Sequence, residues 1–197
     1  MDPTTFTFPV SAFPPFAVGF FGLGTGYLIY GPQELFGFPT RGREVDLGTG
    51  IWGIWMPGFM QFITGVYLFV GLTWFHSFTD KPLYMVALAF TAYGVHWWAI
   101  GLNRALHADP KPNAFMAVAF TMISVLGIVV FAIVGDVPVV LLFVGLTCIY
   151  LSDILASLGM RIGERLLGFF HLLTGLWLMY LMWAAALNFS VGYKLWL

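Results

Sequence analysis

Residues 83–102 read LYMVALAFTAYGVHWWAIGL, twenty positions without one Asp, Glu, Lys or Arg. An α-helix rises 1.5 Å per residue, so a stretch of about 20 apolar residues crosses the ~30 Å hydrocarbon core of a bilayer. Five further stretches of this kind flank it, giving six spans at roughly 13–30, 49–72, 83–102, 113–134, 138–158 and 166–188. Together they leave only short connections. The expected fold is therefore all-α: one polytopic integral membrane domain, residues 1–197, with six transmembrane helices in a bundle. The backbone satisfies its own hydrogen bonds in such helices, which is why they are a stable way to cross lipid.

Composition agrees. Hydrophobic residues make up 60% of the chain and charged residues 9%, against about 25% charged in a typical soluble domain. There is no room for a soluble catalytic domain, and no hydrolase elbow, P-loop or dinucleotide fingerprint is present, so an enzyme is not expected. The net charge of −1 argues against a nucleic-acid partner. The single cysteine, Cys148, lies within the fifth span; one thiol makes neither an internal disulfide nor a thiolate metal site. His76 and His107 fall in connections predicted on opposite faces, while His96 and His171 lie within spans. No pair has the i, i+4 spacing of a metal clamp, so neither metal nor cofactor is expected. No basic stretch precedes the first span, and Pro3, Pro9, Pro14 and Pro15 interrupt the approach to it. This predicts a retained span rather than a cleaved signal.

The connections are marked by charge, Gly and Pro: 31–48, 74–82, 103–112, 135–138 and 159–165. Thr79 or Asp80 is the expected cap of the third helix. Arg41, Arg43, Arg104, Lys111, Arg161 and Arg165 occupy the odd connections, against Lys81 and Lys194 on the other side. The positive-inside rule then puts the odd connections in the cytoplasm and both chain ends outside. Trp74, Phe75, Phe78 and Trp196 suit an interfacial aromatic belt. Pro57–Gly58 predicts a kink in the second span, because proline removes a backbone donor and clashes with the preceding turn. Gly19, Gly22, Gly24 and Gly26 in the first span, and Gly168 and Gly175 in the sixth, let helix backbones approach closely.

Polar groups within spans are the candidates for function. Gln61 offers an amide for a carboxylate or water, with Thr64 one turn along. Asp153 is a carboxylate within the fifth span. His96 follows Tyr93 by three positions and shares its helix face. Asp153 and His96 are candidates for proton linkage, since histidine titrates near neutral pH. His171 reads as a satisfied packing residue.

Four segments, FPPFAVGFFGLGTG (13–26), MPGFMQFITG (56–65), ALAFTAYGVHWWAIGL (87–102) and GLWLMYLMWAAALNFSVG (175–192), resemble the acetate uptake transporter family of succinate/acetate permeases. AFTAYG at 89–94 carries the likeness most specifically, followed by Asn188 with Gly192. The chain departs from the family pattern at Ala12–Val18, at Leu68 where an acidic residue is usual, at Asp80–Tyr84 and at Ala185–Ala186. It resembles a divergent member.

The resemblance implies a membrane permease or channel for small monocarboxylates, acetate and also succinate; Asp153 and His96 are what would link it to protons. It implies six spans in a homo-hexamer in a bacterial or archaeal inner membrane, with chain ends in the cytoplasm, opposite to the charge bias. It also implies a pore constriction of Phe21, Tyr93 and Leu146; the polar residues Gln61, Thr64 and His96 read above are the expected substrate path. An apolar ring of that kind dewets and impedes hydrated ions. The expected partners are the lipid bilayer and small carboxylic acids. The alternative reading is an accessory subunit of a larger membrane complex that keeps the fold without transport. Its path would be plugged by aromatics and its outer faces covered by other membrane subunits. A small amide or urea channel shares the size and span number.

Overall fold

A computed structural model describes residues 14–197. The start of the first span at Phe13, Pro3, Pro9 and the Ala12–Phe13 part of the N-terminal motif lie outside these residues. The described chain is helical throughout, in the order α1 (Phe16–Phe36), α2 (Arg43–Gly53), a π-helical turn (Ile54–Phe59), α3 (Met60–Thr73), α4 (Leu83–Leu106), α5 (Lys111–Val134), α6 (Val137–Ser157) and α7 (Arg161–Val191). α2, the π turn and α3 run on as one continuous helix, so the described residues hold six long helices in an all-helical bundle. Five spans are long and apolar enough to cross a bilayer: Arg43–Thr73, Leu83–Leu106, Lys111–Val134, Val137–Ser157 and Arg161–Val191. α1 is long enough but less apolar, because Gly, Tyr, Gln33 and Glu34 fill much of it.

The helices outrun the apolar stretches that announce them. The longest predicted connection, 31–48, is mostly helix. α1 continues through Gly31–Phe36 and ends at Gly37, whose φ of 72° lets its N–H return to the Gln33 carbonyl at 3.0 Å. α2 begins at Arg43, with Glu44 and Asp46 in its first turn, where the helix dipole favours acidic groups. α7 starts at Arg161 rather than 166. Hydropathy falls at these ends because the residues are polar, yet Gln33 and Asp46 are buried. Their burial is inside the protein, so the backbone has no reason to stop.

Two smaller expectations change. Neither Thr79 nor Asp80 caps α4 with its side chain; the helix opens after Pro82, and Asp80 supplies only its carbonyl, 3.1 Å from Leu83 N. Trp74 and Phe75 are exposed, but Phe78 is 5% exposed and packs over Gly71.

The six spans form a closed circuit. α1 lies against α7 on one side and the second span on the other; the second span packs on α4; α5 packs on α6, and α6 on α7. α4 and α5 touch only lightly. The glycines explain the two closest seams. On the antiparallel α1–α7 pair, Gly24 faces Gly175 and Gly31 faces Gly168, and a Cβ on Gly168 would sit 2.8 Å from the Gly31 carbonyl oxygen. Between the second span and α4, Gly50 faces Gly101 and Gly58 faces Gly94. Pro57 falls in the π turn, where the predicted kink is taken up, and packs on Gly26 of α1.

Candidate functional site

Two cavities enter the bundle from opposite ends. One, of about 290 Å³, opens beside the ends of α1 and α4 and is lined by Tyr27, Tyr30, Glu34, His96, Trp97, Tyr150, Asp153 and His171 among others. The other, of about 430 Å³, opens beside the start of α4 and α6 and is mainly apolar, with Phe20, Leu23, Gln61, Phe90, Tyr93 and Leu146 in its wall. They are called here the polar and the apolar cavity.

The partition between them is one helical turn thick and is built by α1, α4 and α6. Each gives one residue to the apolar side and another, four positions on, to the polar side: Leu23 and Tyr27, Tyr93 and Trp97, Leu146 and Tyr150. The i, i+4 spacing stacks each pair along its helix axis. All six are no more than 2% exposed. Tyr93 stacks on Tyr150 with ring centroids 5.7 Å apart, and Tyr27 packs on Trp97 at 5.8 Å. Tyr93 is tied to α5: Ser124 donates to the Phe120 carbonyl at 2.9 Å, which leaves its oxygen to accept from the Tyr93 hydroxyl at 2.9 Å.

Tyr93 and Leu146 thus meet in the partition, but Phe21 does not join them. Phe21 is 40% exposed and faces out of the bundle, whereas Phe20 is 4% exposed and lines the apolar cavity. In a Phe-Phe pair on a helix apolar on all sides, one residue shifts the direction by about 100°. Gly19 is the local reason for the choice. A Cβ there would come within 2.5 Å of the Phe90 ring, so the space beside α4 is filled by Phe90, which packs on Phe20 at 5.8 Å.

Polar atoms edge the partition on both sides. Gln61, fully buried, donates from Nε2 to the Pro57 carbonyl at 2.9 Å, and its Oε1 has no partner. On the polar side, His96 Nδ1 lies 3.2 Å from the Tyr150 hydroxyl, and its buried Nε2 has no partner. With the phenol donating to Nδ1, Nε2 carries the ring hydrogen. An unpaired buried donor or acceptor is costly, so each is a place where a solute or water gains a bond. Thr64 has no such role: its hydroxyl donates to the Met60 carbonyl at 2.7 Å, and it lines neither cavity.

Asp153 sits in the penultimate turn of α6, accepts from Ser157 Oγ at 2.9 Å and shares the polar cavity with His96. His171 is more than a packing residue. Its Nδ1 lies 2.6 Å from Glu34 Oε2, both side chains are nearly buried, and Tyr27 stacks on its ring at 4.6 Å. At the cavity mouth Asp46 gathers three basic side chains. Arg104 Nε is 2.6 Å away, Arg41 Nε 3.3 Å and His107 Nδ1 3.6 Å. Arg104 also donates to Gln33, which donates in turn to Thr49 at 2.7 Å. This clasp joins α1, α2 and α4.

Glu34, Tyr27, Trp97 and Tyr150 escape a reading of the sequence. Glu34 falls in a stretch that looks like a connection, and its partner is 137 positions away. The aromatic residues four positions after Leu23, Tyr93 and Leu146 are the one signal that could have found the partition.

No protein-family model matches the sequence, and no curated protein matches it significantly. Among solved structures, the chain is similar to a bacterial acetate channel, SatP, with a TM-score of 0.68 and 19% sequence identity. The likeness covers 92% of this chain and 96% of that one. At this identity the shared property is the fold: an all-helical, multi-pass membrane bundle.

Proposed function

We propose that this protein is a channel or permease for small monocarboxylic acids, acetate first among them. The solute would cross each protomer between the apolar and polar cavities. The observation that carries this reading is the pair of cavities entering from opposite ends, separated by one turn of side chains whose two faces bear the unpartnered atoms Gln61 Oε1 and His96 Nε2. The fold shared with an acetate channel supports it.

In the mechanism, the methyl end of the solute packs among Phe20, Leu23 and Phe90, and its polar end takes a hydrogen bond from the protein. Gln61 Oε1 is an acceptor, so on the apolar side it suits a protonated carboxyl group. His96 Nε2–H is a donor and suits a carboxyl oxygen on the polar side. A bare anion in an apolar wall is expensive, so the neutral acid is the form that crosses, with Asp153 and His96 within reach of the proton on the polar side. Tyr93, Tyr150 and Leu146 would move aside during passage. Succinate as a second substrate, proton linkage, a homo-hexamer and a bacterial or archaeal inner membrane belong to the same proposal.

The closed partition favours a second reading. Six nearly inaccessible side chains between the cavities are what an accessory subunit without transport would show. Uptake of radiolabelled acetate into proteoliposomes, with and without an inward proton gradient, separates the two. The permease reading expects saturable uptake that Tyr93→Ala alters, and a gradient effect that Asp153→Asn abolishes. No uptake above empty liposomes, from folded protein, would favour the accessory subunit.

A further inference from the structure

The apolar cavity is bounded by a segment that no transport step described above uses. α7 ends at Gly192, whose φ of 75° turns the chain back, with its N–H on the Asn188 carbonyl at 3.1 Å. The following residues return along α7 and are held at two points. The Asn188 amide pairs with both peptide groups of Leu195, donating from Nδ2 to its carbonyl at 2.9 Å and accepting from its N–H at 2.8 Å. The Tyr180 hydroxyl donates to the Trp196 carbonyl at 2.9 Å. Trp196 sets its ring edge-on to Trp177 at 5.9 Å. Trp177 in turn stacks on Tyr180 and donates to the Pro138 carbonyl at 3.1 Å, at the start of α6. The fold-back delivers Leu197 into the wall of the apolar cavity, against the core.

From this geometry we infer that residues 192–197 are a strap that narrows the mouth of the apolar cavity at its own end of the bundle, with Asn188 as its latch and Leu197 set into the cavity wall. The inference deepens the permeation reading by giving that path a second barrier, distinct from the aromatic partition.

Two features mark a movable element rather than a fixed part of the core. Residues 192–196 are exposed, and only Leu197 is partly buried. The anchors are a few exposed polar bonds and one ring contact, the pattern of a segment that opens locally without disturbing the rest. An amide that bonds both the N–H and the carbonyl of one residue gives the strap a defined docked position.

The test reads access to the cavity directly. Ala89 lines the apolar cavity and Ala156 the polar one. In a Cys148→Ala background, Ala89→Cys or Ala156→Cys is labelled with a membrane-impermeant thiol reagent in the full chain. Either cysteine is combined with Asn188→Ala, with Leu197→Ala, or with deletion of residues 193–197. Losing the two latch bonds should raise labelling at position 89 on the order of tenfold, while labelling at position 156 stays unchanged. Unchanged labelling at position 89 in folded Asn188→Ala and Leu197→Ala, with the thiol reactive after denaturation, would overturn the strap. An equal rise at both positions would also overturn it, as general loosening of the bundle. Acetate uptake is measured separately. Faster labelling at position 89 with no uptake in any variant keeps the strap and removes the permeation reading. Normal uptake with unchanged labelling does the reverse.

Discussion

Replacing Asp46 by Asn keeps its shape and removes only its charge. The magnitude follows from burial. The Asp46 side chain is 5% exposed and that of Arg104 is 11% exposed, with 2.6 Å between Arg104 Nε and Asp46 Oδ1. Without the carboxylate, Arg104 becomes a nearly buried cation whose other polar partner is neutral Gln33, with Arg41 and His107 close by. Breaking a buried pair from one side costs about 3–5 kcal/mol. Arg41 is 51% exposed, and an exposed partner is worth about 0–1 kcal/mol, so Arg41→Ala is the matched control. The double variant Asp46→Leu/Arg104→Met, which removes both charges, should regain most of the loss. Equilibrium unfolding in mixed detergent micelles, followed by tryptophan fluorescence, gives all three values. A loss of less than about 1 kcal/mol for Asp46→Asn, no larger than that for Arg41→Ala, would refute a buried clasp.

Leu146→Ala thins the partition where the side chain is 2% exposed; it should cost about 2–5 kcal/mol of stability and raise propionate uptake relative to acetate, and an unchanged ratio in a competition assay would remove Leu146 from the path. Gly168→Ala and Gly175→Ala test the α1–α7 seam. A Cβ on Gly168 meets the Leu35 backbone nitrogen most closely, then Glu34 Cβ and the Gly31 carbonyl oxygen at 2.8 Å, whereas on Gly175 the nearest atom is 3.1 Å away. Overpacking of about 1–3 kcal/mol should exceed the gain in helix propensity of about 1 kcal/mol at position 168 and be offset by it at 175. Thermal unfolding of both in detergent decides, and equal effects would count against the seam.

The spans, the disturbance at Pro57 and the glycine pairing of the sixth helix are legible in the sequence, because each follows from local composition. Which of two adjacent residues faces inward is not, as Phe20 and Phe21 show. In water a helix declares its buried side by a contrast of apolar and polar residues. In lipid the outside is as apolar as the inside, and the contrast vanishes. The polar elements were missed for another reason. Gln33, Glu34 and Asp46 look like a connection because charge usually means water. Here each is answered by a residue far along the chain: Thr49 and Arg104 for Gln33, His171 for Glu34, and Arg104 for Asp46. Only the packed helices bring those partners together. Tyr93 and Leu146 were found through a family likeness, and their companions Trp97 and Tyr150 only through the packing.

The π turn has a consequence for how the two halves of the second span are phased. Along α4, Gly94 and Gly101 are seven positions apart; opposite them, Gly50 and Gly58 are eight apart. The turn absorbs the odd residue, so the helix behaves as two rods spliced with a one-residue phase shift. Deleting one residue between Ile54 and Phe59 would let an ordinary α-helix form with both sides kept in phase, but straightening the turn with every residue retained would rotate everything on one side of the splice by about 100° relative to the other. Gln61 would then leave the apolar cavity while Gly50 kept its place opposite Gly101. The position of the one unpaired amide in that cavity is thus set by a length rather than by a side chain, and a substitution scan of its neighbours would pass it by.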